Sequence, residues 1–245
     1  MANDHYIERL KGWANSGREN IASPKILQIA DYIDFDTIET VLDIGSWHLK
    51  QSIEFAYAFP TATIHAFEPS PQNLRECIQM KSGVPKDVQD RIQVYNVALS
   101  NKNGPLIFYD IDTSQGVGYN PGAASKYKFV DGMNGTFFNQ NWIQKEITVE
   151  ALTLDHWAMT NGIKSVDALW VDVQGGELDV FKGGSQTLKN VKVIFTEIGL
   201  KEYYKGQSLK PEIEEFLFKL GFEELPGGFE INGFEYEGNN IYIRK

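Results

Sequence analysis

Short apolar runs that end in an acid or a glycine recur along the chain, with helical spacing in the intervals between them. ETVLDIG (39–45) is apolar through its middle and stops at Asp43 and Gly45, the pattern of a buried strand meeting a turn. TIHAFEP (63–69) repeats that design after an amphipathic stretch around 51–58. IQVYNVAL (92–99), DALWVDVQGG (167–176) and VKVIFTEIG (191–199) predict three further strands. Pro69 and Pro71 open a helix whose Leu74, Cys77 and Ile78 share a face, and ELDVFKGG predicts another between the fourth and fifth strands. PEIEEFLFKLG (211–221) starts at a proline, ends at a glycine and carries Ile213, Phe216, Leu217 and Leu220 on one side, which predicts a third. FEELP and NNIYIRK predict two short closing strands around a Gly-rich turn.

Strands alternating with helices predict a doubly wound, mostly parallel α/β sheet of seven strands, covered on both faces, with an antiparallel C-terminal edge strand. Residues 1–35 read as an N-terminal helical extension to a single domain over 36–245. In it Ser23 caps a helix begun by Pro24, with Ile26, Ala30 and Ile33 on one face. That extension, with Trp13, docks on the chain's own sheet or on another subunit, so a homo-oligomer stays open. One stretch breaks the alternation. Residues 112–142 combine Gly116, Gly118, Gly122, Gly132 and Gly135 with Tyr119, Tyr127, Phe129, Phe137, Phe138 and Trp142. Aromatic faces among amides suit a sugar or another flat, hydroxylated ligand; the alternative is a hairpin with a disordered tip.

Composition narrows the function classes. The 245 residues include 23 Lys and Arg against 33 Asp and Glu, a formal charge of −10. Such a surface disfavours nucleic acid and anionic membranes as partners, since no local basic patch offsets it. The lone Cys77 excludes an internal disulfide and a cysteine zinc cluster, and fits a reducing compartment, so a cytoplasmic location is expected. MANDHYIERL lacks the features of a signal peptide, and no apolar stretch approaches the roughly 18 residues of a membrane helix.

In an open parallel sheet, ligands sit at the carboxyl ends of the strands. Four strand ends carry polar residues there: Asp43 with Gly45, Glu68, Asn96 and Asp172. Gly45 lets backbone approach a ligand, and a carboxylate at Glu68 can accept from both hydroxyls of a ribose. Only one glycine stands where a dinucleotide fingerprint needs three, and Asp43 lies two residues before it. That acid repels a pyrophosphate and attracts an ammonium, so S-adenosyl-L-methionine (SAM) fits better than NAD.

VLDIGSWHLKQSIEFA, IHAFEPSPQNL, VYNVALSNKNG, LTLDHW, LWVDVQGGELDVFKGG, FTEIGLKEYYKGQ and NNIYIRK run in order from about residue 40 to the end. They resemble successive motifs of the FkbM family of SAM-dependent methyltransferases, most specifically in the D-V-x-G-x-E-x-x-x-x-K-G block. The resemblance implies a class I methyltransferase fold and O-methylation of sugar hydroxyls, glycosylated products or polyketides. It implies that Asp43, Gly45 and Ser46 hold the methionine end of SAM and that Glu68 holds the ribose. It also implies that the Asn96–Ala98 turn flanks the adenine and that Asp172 faces the reacting methyl. The family's second glycine, four positions after the first, is Leu49 here.

Methyl transfer to an alcohol needs alignment of the oxygen and a base within about 3 Å of its proton. Asp172, Glu197 and His48 are the candidates. Asp172 reads equally as a helix cap, Glu197 as a partner for a lysine, and His48 as a loop lining. His156 and His65 read as structural, Glu177 as a first-turn carboxylate favoured by the helix dipole, and Trp47 as packing or stacking. The expected partner is a hydroxylated acceptor, a sugar or glycan. The competing readings are a non-catalytic sugar-binding relic and an NAD(P)-dependent oxidoreductase. The four histidines lack ligand spacing, so no metal site is expected. EDTA should therefore leave methyl transfer intact; turnover restored only by added Mg²⁺ contradicts this.

Overall fold

The computed structural model describes residues 24–115, 120–133, 142–231 and 235–245. A main sheet is built from β1 (Thr40–Ile44), β2 (Thr63–Phe67), β3 (Ile92–Tyr95), β7 (Ala168–Val171), β8 (Val193–Gly199) and β11 (Glu237–Arg244), in the order β3-β2-β1-β7-β8-β11. The first five are mutually parallel and β11 is antiparallel to β8. Two short strands, β9 (Phe222–Glu224) and β10 (Glu230–Ile231), pair antiparallel with β11. They place β11 one position in from the edge rather than on it. Seven strand positions are thus filled by eight strands.

Period-two alternation explains why both faces are covered. Val41, Ala168, Trp170, Val193 and Phe195 point into one core, against α1 (Pro24–Gln28) and α2 (Lys50–Ala58). Their neighbours Leu42, Ile44, Leu169, Val171 and Ile194 point into a second core, against α5 (Leu154–Thr160), α6 (Glu177–Gly183) and α7 (Lys210–Lys219). Trp157 anchors that second core, edge-on to Phe67 at 4.8 Å and to Tyr95 at 5.5 Å. Each such buried side chain contributes about 1.5–3 kcal/mol. The helix α3 (Pro71–Ser82) has the cap its sequence advertises: Ser70 Oγ accepts from the Asn73 amide, with Pro71 in the first turn.

The N-terminal helix ends at Gln28, and its Ile26, together with Ile29 and Phe35, is buried in the first core beside Val41 and Ile53. Residues from 24 onward therefore belong to the sheet's own packing. Ser23 and Trp13 lie outside the described residues. No described helix is long and apolar enough to cross a membrane.

The expected strand 92–99 is two strands. β3 ends at Tyr95, Asn96 turns the chain, and β4 (Ala98–Leu99) joins a second sheet, β4-β6-β5. That sheet is a hairpin of β5 (Gly104–Ile111) and β6 (Gln144–Leu152), joined by the Gly-rich segment; residues 116–119 and 134–141 of this segment lie outside the described residues. The described part is tied down. Ser125 bridges Tyr109, Phe129 bridges Tyr204 and stacks on its ring at 5.1 Å, and Trp142 packs beside Phe129. These side chains share a third core.

The C-terminal end of α6 presses on the turn after β4. A Cβ at Gly183 would come within 2.1 Å of the Ser100 carbonyl oxygen, a backbone atom that cannot step aside. Gly183→Ala should cost at least about 2 kcal/mol and lower Tm by about 5 °C or more, read by a circular dichroism melt. An unchanged Tm contradicts this contact.

Candidate active site

The carboxyl ends of β1, β2 and β7 converge on the turn that follows β1. The amides of Gly45 and Ser46 both donate to the Phe67 carbonyl at 3.0 Å, and the Asp172 amide donates to the Ile44 carbonyl at 2.9 Å. A Cβ on residue 45 would lie 1.8 Å from the Asp172 carbonyl oxygen, and Gly45 has φ +88°. Only glycine fits. Ser46 Oγ donates to the Asp43 carbonyl at 2.9 Å, closing the turn on itself.

The chain continues left-handed through Trp47 (φ +44°) and Leu49 (φ +67°). Leu49 sits at the N-cap of α2 in the conformation a glycine adopts freely. The backbone cost of about 1–2 kcal/mol is offset by its side chain, which is fully buried in the first core beside Ile53. Leucine in the family's glycine position therefore keeps the turn and lines none of the cavities below.

Two buried acids flank that turn. Asp43 Oδ2 accepts from Ser52 Oγ at 2.5 Å, while Oδ1 is buried without a partner. Burial pushes its pKa up to about 7, against the pull of the Ser52 bonds. Glu68 Oε2 accepts from the Trp47 amide and Oε1 from the Ser70 amide, both at 2.8 Å. Burial pushes it up to about 8, with those amides pulling the other way. The Asn73 side chain bonds Glu68 as well, and the carboxyl keeps a lone pair for a ligand hydroxyl. Asn96 Nδ2 donates to the carbonyls of Glu68 and Pro69 at 2.9 and 3.1 Å, so it fixes the turn that presents Glu68.

A trench runs past the Gly45 turn, Glu68 and Asp172, and Asp43 and Asn96 are not part of its lining. An apolar slot lined by Ile44, Phe67, Val97, Ala98, Leu99 and Phe108 opens at Gly45 into a narrower polar stretch bordered by Trp47, Glu68, Asn73 and Asp172. At Trp47, Gly122 and Asp172 this meets a cavity of about 210 Å³, walled by Trp142, Tyr203, Tyr204 and Tyr236 and carrying Glu197 and Glu237. The described part of the Gly-rich segment contributes Asn120, Gly122, Ala123 and Trp142 to that wall.

Asp172 and Glu197 hydrogen-bond to each other. Gln174 Nε2 donates to Asp172 Oδ1 at 2.8 Å and to Glu197 Oε2 at 2.6 Å. Burial raises both acids; Asp172 is then lowered by its hydrogen bonds, whereas Asp172 and Glu237 raise Glu197 further. Both acids therefore bind a proton more readily than an ordinary carboxyl, Glu197 the more so. Glu237 is pushed up to about 7 by burial and by Asp172.

His48 stands apart from the trench lining. Its ring stacks on Trp47 at 4.0 Å, its Nδ1 is buried without a partner, and burial followed by Lys50 lowers its pKa. His65 bonds Tyr95 Oη at 3.0 Å inside β2, and burial lowers it to about 4, a neutral core histidine. Glu177 turns back to accept from the Val173 and Gly175 amides, both at 3.1 Å. Gln174, Tyr204 and Glu237 escaped the sequence reading. The first two lie inside the quoted QGG and KEYYKGQ motifs, and Glu237 reaches the site only through the pairing of β11 with β8.

The Glu68 carboxyl at the border of the polar stretch and the apolar slot beyond Gly45 fit the ribose and adenine of SAM, while the partnerless Asp43 oxygen lies buried at the end of β1. A sheet of this order with acids at the ends of its first two strands defines a class I methyltransferase. The family model of the Methyltransferase FkbM domain matches residues 41–224. The chain is 30% identical over 212 residues to the 2-O-methyltransferase NoeI of Sinorhizobium fredii strain NGR234, covering 82% of this chain and 79% of that protein. Magnesium protoporphyrin IX methyltransferase (ChlM) of Synechocystis PCC 6803, solved with bound SAM, aligns with a TM-score of 0.51 at 14% identity. That alignment covers 99% of this chain and 93% of that one, and it shows a shared fold. The chain belongs to the FkbM methyltransferase family, and its cofactor is SAM.

Four acids with raised pKa values make stability fall with pH. Glu177 is pushed up to about 8 chiefly by burial, as Glu68 is, with Asp43 and Glu237 near 7. Between the unfolded carboxylate range near 4.5 and these values, the folded state binds more protons than the unfolded one. Stability is therefore full below pH about 4.5 and is lost as pH rises towards 8. The Tm of the ligand-free protein should fall from pH 5 to pH 8, and Glu177→Gln should flatten the decline; a Tm that rises over this range contradicts it.

Proposed function

We propose that this protein transfers the methyl group of SAM to a sugar hydroxyl, with Asp172 as the general base. The observation that carries this reading is the position of Asp172, which borders both the cofactor trench and the aromatic-walled cavity beyond it. Similarity to a 2-O-methyltransferase supports oxygen as the acceptor atom, and the tryptophan and tyrosine walls suit the apolar face of a sugar ring.

SAM supplies an electrophilic methyl on a sulfonium. The chain supplies the rest. Glu68 holds the ribose hydroxyls, the buried Asp43 oxygen and the Gly45–Ser46 turn serve the methionine end, and Ala98 borders the adenine slot, with Asn96 steadying the turn before it. Alignment of the acceptor oxygen falls to the cavity walls, and Asp172 would take its proton as the C–O bond forms and the methyl C–S bond breaks, its electron pair leaving with the sulfur. Glu197, which binds its proton more readily than Asp172, donates to Asp172 and lowers its charge cost. His48 has no part in this reading, because its ring packs on Trp47 away from the trench lining.

A panel of methyl glycosides with radiolabelled SAM should give at least one O-methylated sugar. Asp172→Asn should slow that transfer about a hundred-fold or more with SAM affinity unchanged. Glu68→Ala should weaken SAM binding about tenfold or more. Unchanged SAM affinity in Glu68→Ala, or full turnover in Asp172→Asn, overturns the assignment of that residue.

A further inference from the structure

Gln174 touches Asp172, Glu197 and Tyr204 in the wall of the cavity. Its backbone is left-handed, with φ +54°, directly before Gly175 and Gly176. A turn already holding two glycines has placed a strained conformation on a residue with a side chain, and that side chain is fully engaged. Both hydrogens of Nε2 are used, one on Asp172 and one on Glu197. Oε1 lies 2.7 Å from Tyr204 Oη, which fixes the direction of the amide. The Gln174 carbonyl accepts from Ser125 Oγ at 2.7 Å, tying the turn to the segment that lines the cavity.

We propose that Gln174 is a positioning residue for methyl transfer: its amide aims the Asp172 carboxylate into the trench and clamps it against Glu197. This rests on the reading of Asp172 as base. A neutral amide can bridge two buried carboxyls without adding charge, and a donor to a carboxylate favours its ionised form. A lysine would bring a full charge, and a glycine would relieve the backbone and leave the two acids unspaced. Strain at a site residue persists where the surrounding contacts over-determine it, and here four hydrogen bonds do so. The titratable groups facing the pair are Glu237 from β11, Glu177 from α6, Asp43 from β1 and Tyr204 from the segment before α7. Three are carboxyls and one is a phenol, so none brings a positive charge to the pair, and the Gln174 amide donates to both of its members.

The test needs no acceptor and so is independent of the sugar assignment. Infrared titration of the buried carboxyl band is measured on the protein saturated with S-adenosylhomocysteine, with Asp172→Asn identifying the Asp172 contribution. Gln174→Met, similar in volume and without donors, should move that midpoint up by about one pH unit. Gln174→Gly should do the same, and because it removes the backbone strain along with the side chain it keeps the test readable if the Met variant fails to fold. Binding of S-adenosylhomocysteine should stay within about threefold of native in both. An unshifted Asp172 midpoint in folded Gln174→Gly overturns the proposal, whatever the glycoside panel shows.

Discussion

The site depends on how β1 leaves the sheet between two neighbours that press on it from both sides. The Gly45 and Ser46 amides are held by the end of β2, and the Ile44 carbonyl is held by the start of the turn after β7. No Cβ fits between. Because the crossing is so tight, the acids that end β2 and β7 stand on either side of one turn and border the same trench. The Trp47 amide then bonds Glu68, which fixes the left-handed path into α2. A looser exit would separate Glu68 from Asp172.

Electrostatics follows from that crowding. The chain carries a net charge of −10, and its trench gathers buried acids whose proton affinity is raised chiefly by loss of water. Such a cleft favours a ligand that brings positive charge at one end and hydroxyl donors in the middle. SAM has both. Aromatic rings take over at the far end, where the described part of the Gly-rich segment folds down through Phe129 and Trp142 onto Tyr203 and Tyr204.

The parallel strands were legible because burial on both faces leaves a continuous apolar run ending in a polar residue at the strand's carboxyl end. Asp43, Gly45, Glu68 and Asp172 were found by that rule, and all four lie around one turn in the structure. The β5–β6 hairpin was legible only as the alternative for the Gly-rich segment, because its strands are half exposed and carry no such run. Asn96 read as a possible cofactor contact, yet its side chain holds the carbonyls of Glu68 and Pro69. Leu49 departs from the family pattern in residue type yet holds the left-handed conformation that glycine adopts freely, which no sequence comparison reveals. Gln174 and Glu237 depend on a turn conformation and an antiparallel pairing, both set by contacts distant in the chain.

The central claim is that this trench, with leucine at position 49, binds SAM. Isothermal titration of the folded protein with SAM and with S-adenosylhomocysteine tests it directly. Micromolar binding of both is the predicted result. No heat of binding at millimolar ligand, with the protein shown to be folded, would contradict the account.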